Sequence, residues 1–204
     1  MTLQKRAFDM LVAVLLIILL FPVLYAIYLL ILIVDGRPVF YISERMHSNS
    51  KGFRLMKFRT MKPMNNDGGA SGGHKQNLIT KTGAFLRKTK LDETPQLWNV
   101  IKGDISFVGP RPPLRKYVEN YPDIYEKVLQ SRPGITGLAS ILYHKHEERV
   151  LAESKTAEQN ERIYTGVCIP RKAQLDLIYQ ANQNMCFDMK IMIKTVFKNK
   201  FFKL

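Results

Sequence analysis

Asp92 and Glu93 stand side by side in TKLDETPQLWNVIKGD (Thr89–Asp104), in a chain whose 31 lysines and arginines against 17 aspartates and glutamates leave a net charge of +14. A carboxylate in such company can attack phosphorus, or bind the divalent metal that neutralises a phosphate. A plainer role is also open, since acids near a helix start stabilise it by a few tenths of a kcal/mol and can pair with Arg87 or Lys90. What favours chemistry is the supply of cations around the pair: Lys57 and Arg59 in GFRLMKFRTM, Arg87, and Arg111 between Pro110 and Pro112. Cations that hold phosphates, beside a carboxylate, make a phosphoryl-transfer constellation.

Short elements must position these residues. VFYISER (39–45) and GFRLMKFRTM (52–61) alternate and flank a polar turn, which predicts a β-hairpin with Lys57 and Arg59 on one face. Residues 80–90 have helical character, and Thr94 before Pro95 predicts the N-cap of a second helix, placing Asp92 and Glu93 just outside a helix N-terminus where phosphate also binds. SFVGPRPPLR (106–115) is proline-stiffened, and its two prolines aim Arg111 with little entropy loss. SRPGITG (131–137) is an ordered loop, and residues 146–164 and 171–185 are helical and polar. In NNDGGASGGH, Gly68 and Gly73 have P-loop spacing, but His74 and Lys75 replace the required Lys and Ser/Thr, so a nucleotide cradle is not expected there.

Met10–Val34 contains no charged residue and would reach about 38 Å as a helix, past a ~30 Å hydrocarbon core. Pro22 lies near its middle and should kink or break it. With Lys5 and Arg6 before the run and Arg37 and Arg45 after it, both ends are expected on the cytoplasmic side, as a re-entrant helical hairpin over residues 1–36; a single kinked span is the alternative. Residues 37–204 then form the catalytic domain, ending in a helix with Asp188 as N-cap. Lys190, Lys194 and Lys198 recur there beside Ile191, Ile193, Val196, Phe197, Phe201 and Phe202. That pattern suits a helix lying in the membrane interface or one packed on the core. Cys168 and Cys186 lack metal or disulfide spacing and are expected to be buried reduced thiols. The expected fold is mostly α with a small β-hairpin, in one membrane-embedded domain.

The motifs KFRTM (57–61), LDETPQLWNVIKGDISFVGPRPP (91–113) and RPGITGLAS (132–140), after KRAFDMLVAV (5–14), resemble the bacterial sugar transferase family, the monotopic polyprenyl-phosphate phosphoglycosyl transferases. The resemblance implies transfer of a sugar phosphate from a UDP-sugar to undecaprenyl phosphate, with release of UMP and Mg²⁺ as cofactor, at the cytoplasmic face of a bacterial inner membrane. It places the nucleophile on Asp92, metal binding on Asp92 and Glu93, and the substrate phosphates on Lys57, Arg59, Arg87 and Arg111, with Pro110 and Pro112 shaping the turn. Direct attack by the lipid phosphate, with Asp92 only a metal ligand, is the alternative route. The short chain is similar to the minimal members, which include di-N-acetylbacillosamine phosphate transferases of protein glycosylation, so UDP-di-N-acetylbacillosamine is a candidate donor. The chain departs from the family at His47 and at Ser140 with ILYHKHEE, the region expected to set sugar specificity. A membrane-tethered nucleic-acid binder, the main rival that +14 suggests, lacks any recognition motif, so no nucleic-acid partner is expected. A non-catalytic membrane scaffold is the other rival, and it predicts that Asp92→Asn changes nothing.

Overall fold

Helix α1 (Leu3–Val34) opens the chain, its first turn capped by the Thr2 hydroxyl accepting from the Lys5 amide at 3.3 Å. The computed structural model describes residues 1–62, 78–154 and 156–197; Gly68, Gly73, His74, Lys75, Lys198, Phe201 and Phe202 lie outside them. The helix runs unbroken through Pro22, so of the expected kink or break the break is absent. A proline forfeits one backbone hydrogen bond, which the well-bonded apolar turns on either side tolerate. At 1.5 Å per residue the 32 residues span about 48 Å along the axis.

Both ends of α1 rest on the rest of the protein, while its middle does not. Near the N-terminus, Lys5, Asp9 and Ala13 form a buried i, i+4 stripe. Lys5 pairs with Asp188, Tyr179 donates its hydroxyl to the other Asp188 oxygen at 2.7 Å, and Ser106 donates to Asp9 at 2.7 Å. Arg6 donates to the carbonyls of Val100 and Ile101 at 2.6 and 2.7 Å. At the other end, Ile27 and Ile31 pack with Val39, Phe58 and Leu86. Between them Ile18, Leu19, Phe21, Val23 and Tyr25 are exposed.

Strands β1 (Phe40–Met46) and β2 (Gly52–Phe58) form the expected antiparallel hairpin, with Tyr41 opposite Lys57. The second strand ends before Arg59, three residues earlier than the alternation suggests. Helix α2 (Lys81–Thr89) follows, then a 3₁₀ turn (Leu91–Glu93) and helix α3 (Gln96–Lys102). Thr94 is not an N-cap acceptor: it lies in helical geometry and donates its hydroxyl to the Leu91 carbonyl at 2.7 Å, which closes the 3₁₀ turn. The two proline-rich segments are not merely loops. Strand β3 (Ser106–Val108) pairs in parallel with β4 (Gly134–Thr136). Gly109 and Gly134 permit this approach, since a Cβ on either would fall 2.1–2.2 Å from backbone of the other segment.

Helices α4 (Arg115–Asn120), α5 (Pro122–Val128), α6 (Leu138–Leu142), α7 (His144–Ala152) and α8 (Ala157–Ile163) lead into a five-residue π-turn (Tyr164–Cys168) and then α9 (Ile169–Ala181). Helix α10 (Met185–Phe197) closes the described chain. Asn184 caps it, accepting from the Phe187 amide at 2.9 Å, and Asp188 serves the Lys5 ion pair instead of the cap. Ile191 of α10 is fully buried while Val196 and Phe197 are exposed. Cys168 is a buried free thiol; Cys186, expected buried, is exposed on the first turn of α10.

Candidate active site

Lys90 ends α2 in the left-handed region, with φ +61°. That reversal turns the chain directly into the Leu91–Glu93 turn and aims consecutive side chains into the space between β2 and α3. Asp92 is 9% exposed, and its Oδ1 is buried without a hydrogen-bond partner. Burial raises its pKa above the ordinary carboxylate value and the Glu93 charge adds to this, while Lys57, Lys90 and Arg87 pull the other way.

Glu93 has a different environment from its neighbour. Its Oε1 accepts from Lys57 Nζ at 2.7 Å and from Arg111 Nη2 at 2.9 Å. Burial alone would raise its pKa, but Arg111 and Lys57 outweigh it and hold the carboxyl well below the usual range. Lys57 is pushed down by burial and by Arg111 and partly restored by Glu93. The adjacent acids are thus split by environment: Glu93 is a fixed anion neutralised by cations, and Asp92 keeps an oxygen uncommitted.

The four expected phosphate-binding cations do not act as one cluster. Lys57 and Arg111 converge on Glu93, and Arg111 stays about half exposed at 45%, with donors left over for a ligand. Arg59 shares a face with Lys57 in sequence but is bound elsewhere. It is buried and donates through Nη2 to the carbonyls of Asp35 and Gly36 at 2.5 and 2.8 Å, closing the C-terminal end of α1. Its Nε and Nη1 are buried without partners. Arg87, on α2, donates to the Thr60 hydroxyl at 2.8 Å and acts on Asp92 through its charge.

Pro110 is fully buried and its carbonyl accepts from the Gly134 amide at 2.8 Å; Arg45 reaches the Pro112 carbonyl at 3.4 Å. The Pro-Arg-Pro turn is therefore pinned on both sides of Arg111. Asn99 binds β2 to α3, accepting from the Met56 amide at 3.1 Å and donating to the Arg54 carbonyl at 2.8 Å and to Asp104 at 2.9 Å. His47 reaches the Asp104 carbonyl at 2.8 Å, so the departure from the family at this position has a structural contact.

Among the described residues no group of three or more His, Cys, Asp or Glu side chains could hold a metal alone. Magnesium usually takes one or two carboxylates together with substrate phosphates and water, and the uncommitted Asp92 oxygen fits that mode. Glu93 fits it less well, because Lys57 and Arg111 already claim its charge.

Residues that sequence reasoning did not single out also face Arg111. Glu147, Lys172 and Tyr164 act on it electrostatically from α7, α9 and the π-turn. Of the three, Glu147 alone carried a signal, its place in the departing ILYHKHEE stretch.

The protein-family model described as bacterial sugar transferase matches residues 1–201. The chain is 36% identical over 200 residues to the UDP-glucose:undecaprenyl-phosphate glucose-1-phosphate transferase of Escherichia coli, covering 96% of this chain and 40% of that protein. It is 30% identical over 198 residues to the UDP-N-acetylgalactosamine-undecaprenyl-phosphate N-acetylgalactosaminephosphotransferase of Aeromonas hydrophila, covering 94% and 42%. With the exopolysaccharide production protein ExoY of Sinorhizobium fredii it shares 32% identity over 210 residues, 95% of this chain and 84% of that one. It therefore spans about two fifths of the length of the first two relatives and most of the third. With the match running nearly end to end and the acid pair set among convergent cations, the chain belongs to the bacterial sugar transferase family.

Proposed function

We propose that this protein moves a sugar phosphate from a UDP-sugar to undecaprenyl phosphate, releasing UMP, with Asp92 as covalent nucleophile. The observation that carries the reading is the contrast within the acid pair: Asp92 is buried with an oxygen left without a partner, beside a Glu93 whose Oε1 accepts from both Lys57 and Arg111. Relatives whose names specify glucose phosphate and N-acetylgalactosamine phosphate transfer to undecaprenyl phosphate support the overall reaction.

In the first step an Asp92 oxygen bonds to the sugar-bearing phosphorus, the bond from that phosphorus to the bridging oxygen breaks, and UMP leaves with the electron pair. In the second, an oxygen of undecaprenyl phosphate attacks the same phosphorus, giving undecaprenyl diphosphate sugar and restoring the carboxylate. An acyl phosphate is reactive enough for this, and two displacements replace one between two anions. Arg111, half exposed beside Glu93, holds donor phosphate oxygens; Lys57 and Glu93 fix its position; Arg87, near Asp92 by charge, lowers the repulsion that an anionic nucleophile meets. Arg59, buried at the end of α1, holds that helix against the site and does not join the phosphate set. A magnesium ion held by Asp92, with Glu93 next to it, would supply charge neutralisation of the diphosphate.

Membrane attachment follows from α1. A span that crossed the bilayer would put its ends on opposite faces, yet Arg6 binds α3 and Ile31 packs on β2 and α2, all parts of one body. This supports a re-entrant helix entering one leaflet, with the remainder on the cytoplasmic face of the inner membrane.

The test is incubation with a UDP-sugar and Mg²⁺ without lipid. Up to one UMP per enzyme should appear, with a sugar phosphate added to the peptide holding Asp92. Turnover with no adduct in intact-mass analysis would leave direct attack by lipid phosphate as the route. A panel of UDP-sugars, UDP-di-N-acetylbacillosamine among them, identifies the donor by UMP release.

A further inference from the structure

The Lys57–Glu93–Arg111 arrangement continues past Arg111 into a second set of charges. Lys172 Nζ donates to both Glu147 oxygens, at 2.9 and 3.2 Å, and each side chain keeps about one sixth of its surface open, 17% and 16%. The ammonium lies 5.2 Å from the centre of the Tyr164 ring, whose edge meets Tyr117 with ring centres 5.0 Å apart. Arg111 feels the charge of Glu147 and the Tyr164 hydroxyl as well as that of Glu93, and Tyr164 packs on Tyr117 of α4, the helix that follows the Pro-Arg-Pro turn.

The backbone is arranged for the juxtaposition. The π-turn Tyr164–Cys168 widens the helical path between α8 and α9, and such turns recur at functional sites. It puts Tyr164 and Lys172, eight residues apart, against the same ion pair. One turn further along α9, Asp176 is 7% exposed with one oxygen unpartnered, and its charge also reaches Lys172. A mostly buried lysine held by both oxygens of one carboxylate beside an aromatic ring is poorly explained as a surface salt bridge, which contributes little to stability.

We propose that Glu147, Lys172 and Tyr164 form the sugar-recognising wall of the donor site, binding the hydroxyl or N-acyl groups of the UDP-sugar transferred at Asp92. This rests on the transferase reading above. When Arg111 holds the diphosphate, the sugar is the part of the donor that extends beyond it, and it meets a carboxylate acceptor, an ammonium donor and a phenol. Charged partners give directional hydrogen bonds to sugar polar groups, and leaving such partners unmatched is what discriminates between sugars. Glu147 lies in ILYHKHEE, the stretch expected to set sugar specificity.

The experiment uses full-length protein in detergent or nanodiscs, with Glu147→Gln and Lys172→Met, shape-preserving changes that remove one charge each. KM is measured for each UDP-sugar of a panel, and UMP, which has no sugar, is measured as an inhibitor. The expected result is a KM for the preferred donor raised roughly tenfold, as for a lost hydrogen bond worth about 1.4 kcal/mol. Inhibition by UMP should shift less than about twofold, and the order of preference among the sugars should change. Tyr164→Phe, which keeps the ring and removes the hydroxyl, gives the same readout should either charge variant fail to fold. Parallel shifts for UMP and for every sugar, or no shift in any KM, would overturn the assignment. A wild-type protein that releases UMP from no UDP-sugar overturns the transferase reading itself, and this wall with it.

Discussion

Lys57 Nζ and Glu93 Oε1 lie 2.7 Å apart, with both side chains mostly buried, so strand β2 and the turn carrying Asp92 are joined by charge. Glu93→Gln leaves Lys57 buried and unpaired while Arg111, half exposed, turns to water. The expected loss is ~3 kcal/mol of stability and on the order of a hundredfold in turnover. Adding Lys57→Met should recover part of the stability and none of the turnover, read by thermal melts and UMP release. A double variant no more stable than Glu93→Gln would show that the pair is not coupled.

Asp176 predicts a pH dependence of stability. Burial pushes its carboxyl up to about 7 against the opposing Lys172 charge, with Tyr125 of α5 also facing it. The folded value lies above the unfolded one near 4, so the folded state holds a proton that the unfolded chain releases. That contribution is full at low pH, fades as pH rises from about 4 to 7, and is gone above. Asp176→Asn should therefore melt higher than wild type at pH 8, with the gap closing toward pH 4. A gap independent of pH refutes this.

Helix α10 offers Ile193, Val196 and Phe197 outward near Lys190 while Ile191 anchors it inward. A helix so divided can pack on the core and lie in the interface at once. Lys190→Ala should weaken binding to phosphatidylglycerol vesicles about fivefold, at ~1 kcal/mol per basic residue. Turnover in detergent should be retained; equal vesicle binding by variant and parent would remove α10 from the membrane.

The topology of α1 is open to cysteine labelling in a Cys186→Ser background, since that thiol is exposed. Cysteines at Thr2 and Arg37 should both react from the cytoplasmic side. Labelling of Thr2 from outside in the parent protein would sink the re-entrant arrangement.

The β1–β2 hairpin was legible because alternation over seven residues is a local signal, and the acid pair because its composition stands out against so many cations. The β3–β4 pair was not, since strands of three residues are too short to show a period. Lys57 and Arg59 looked equivalent by periodicity, and only tertiary structure sends one to Glu93 and the other to the end of α1. Asp188 was read as a cap because its partner is 183 residues away. Thr94 failed for a nearer reason: its hydroxyl is consumed by the preceding turn. For Arg59 and Asp188 a contact remote in sequence decided the outcome.

The union of Lys5 with Asp188 also sets a timetable for biogenesis. Helix α1 is synthesised with an ammonium whose partner follows 183 residues later. At roughly 5–20 residues per second that is an interval of about 10–40 s. Helices α1 and α10 can therefore lock together only after the intervening chain has been made.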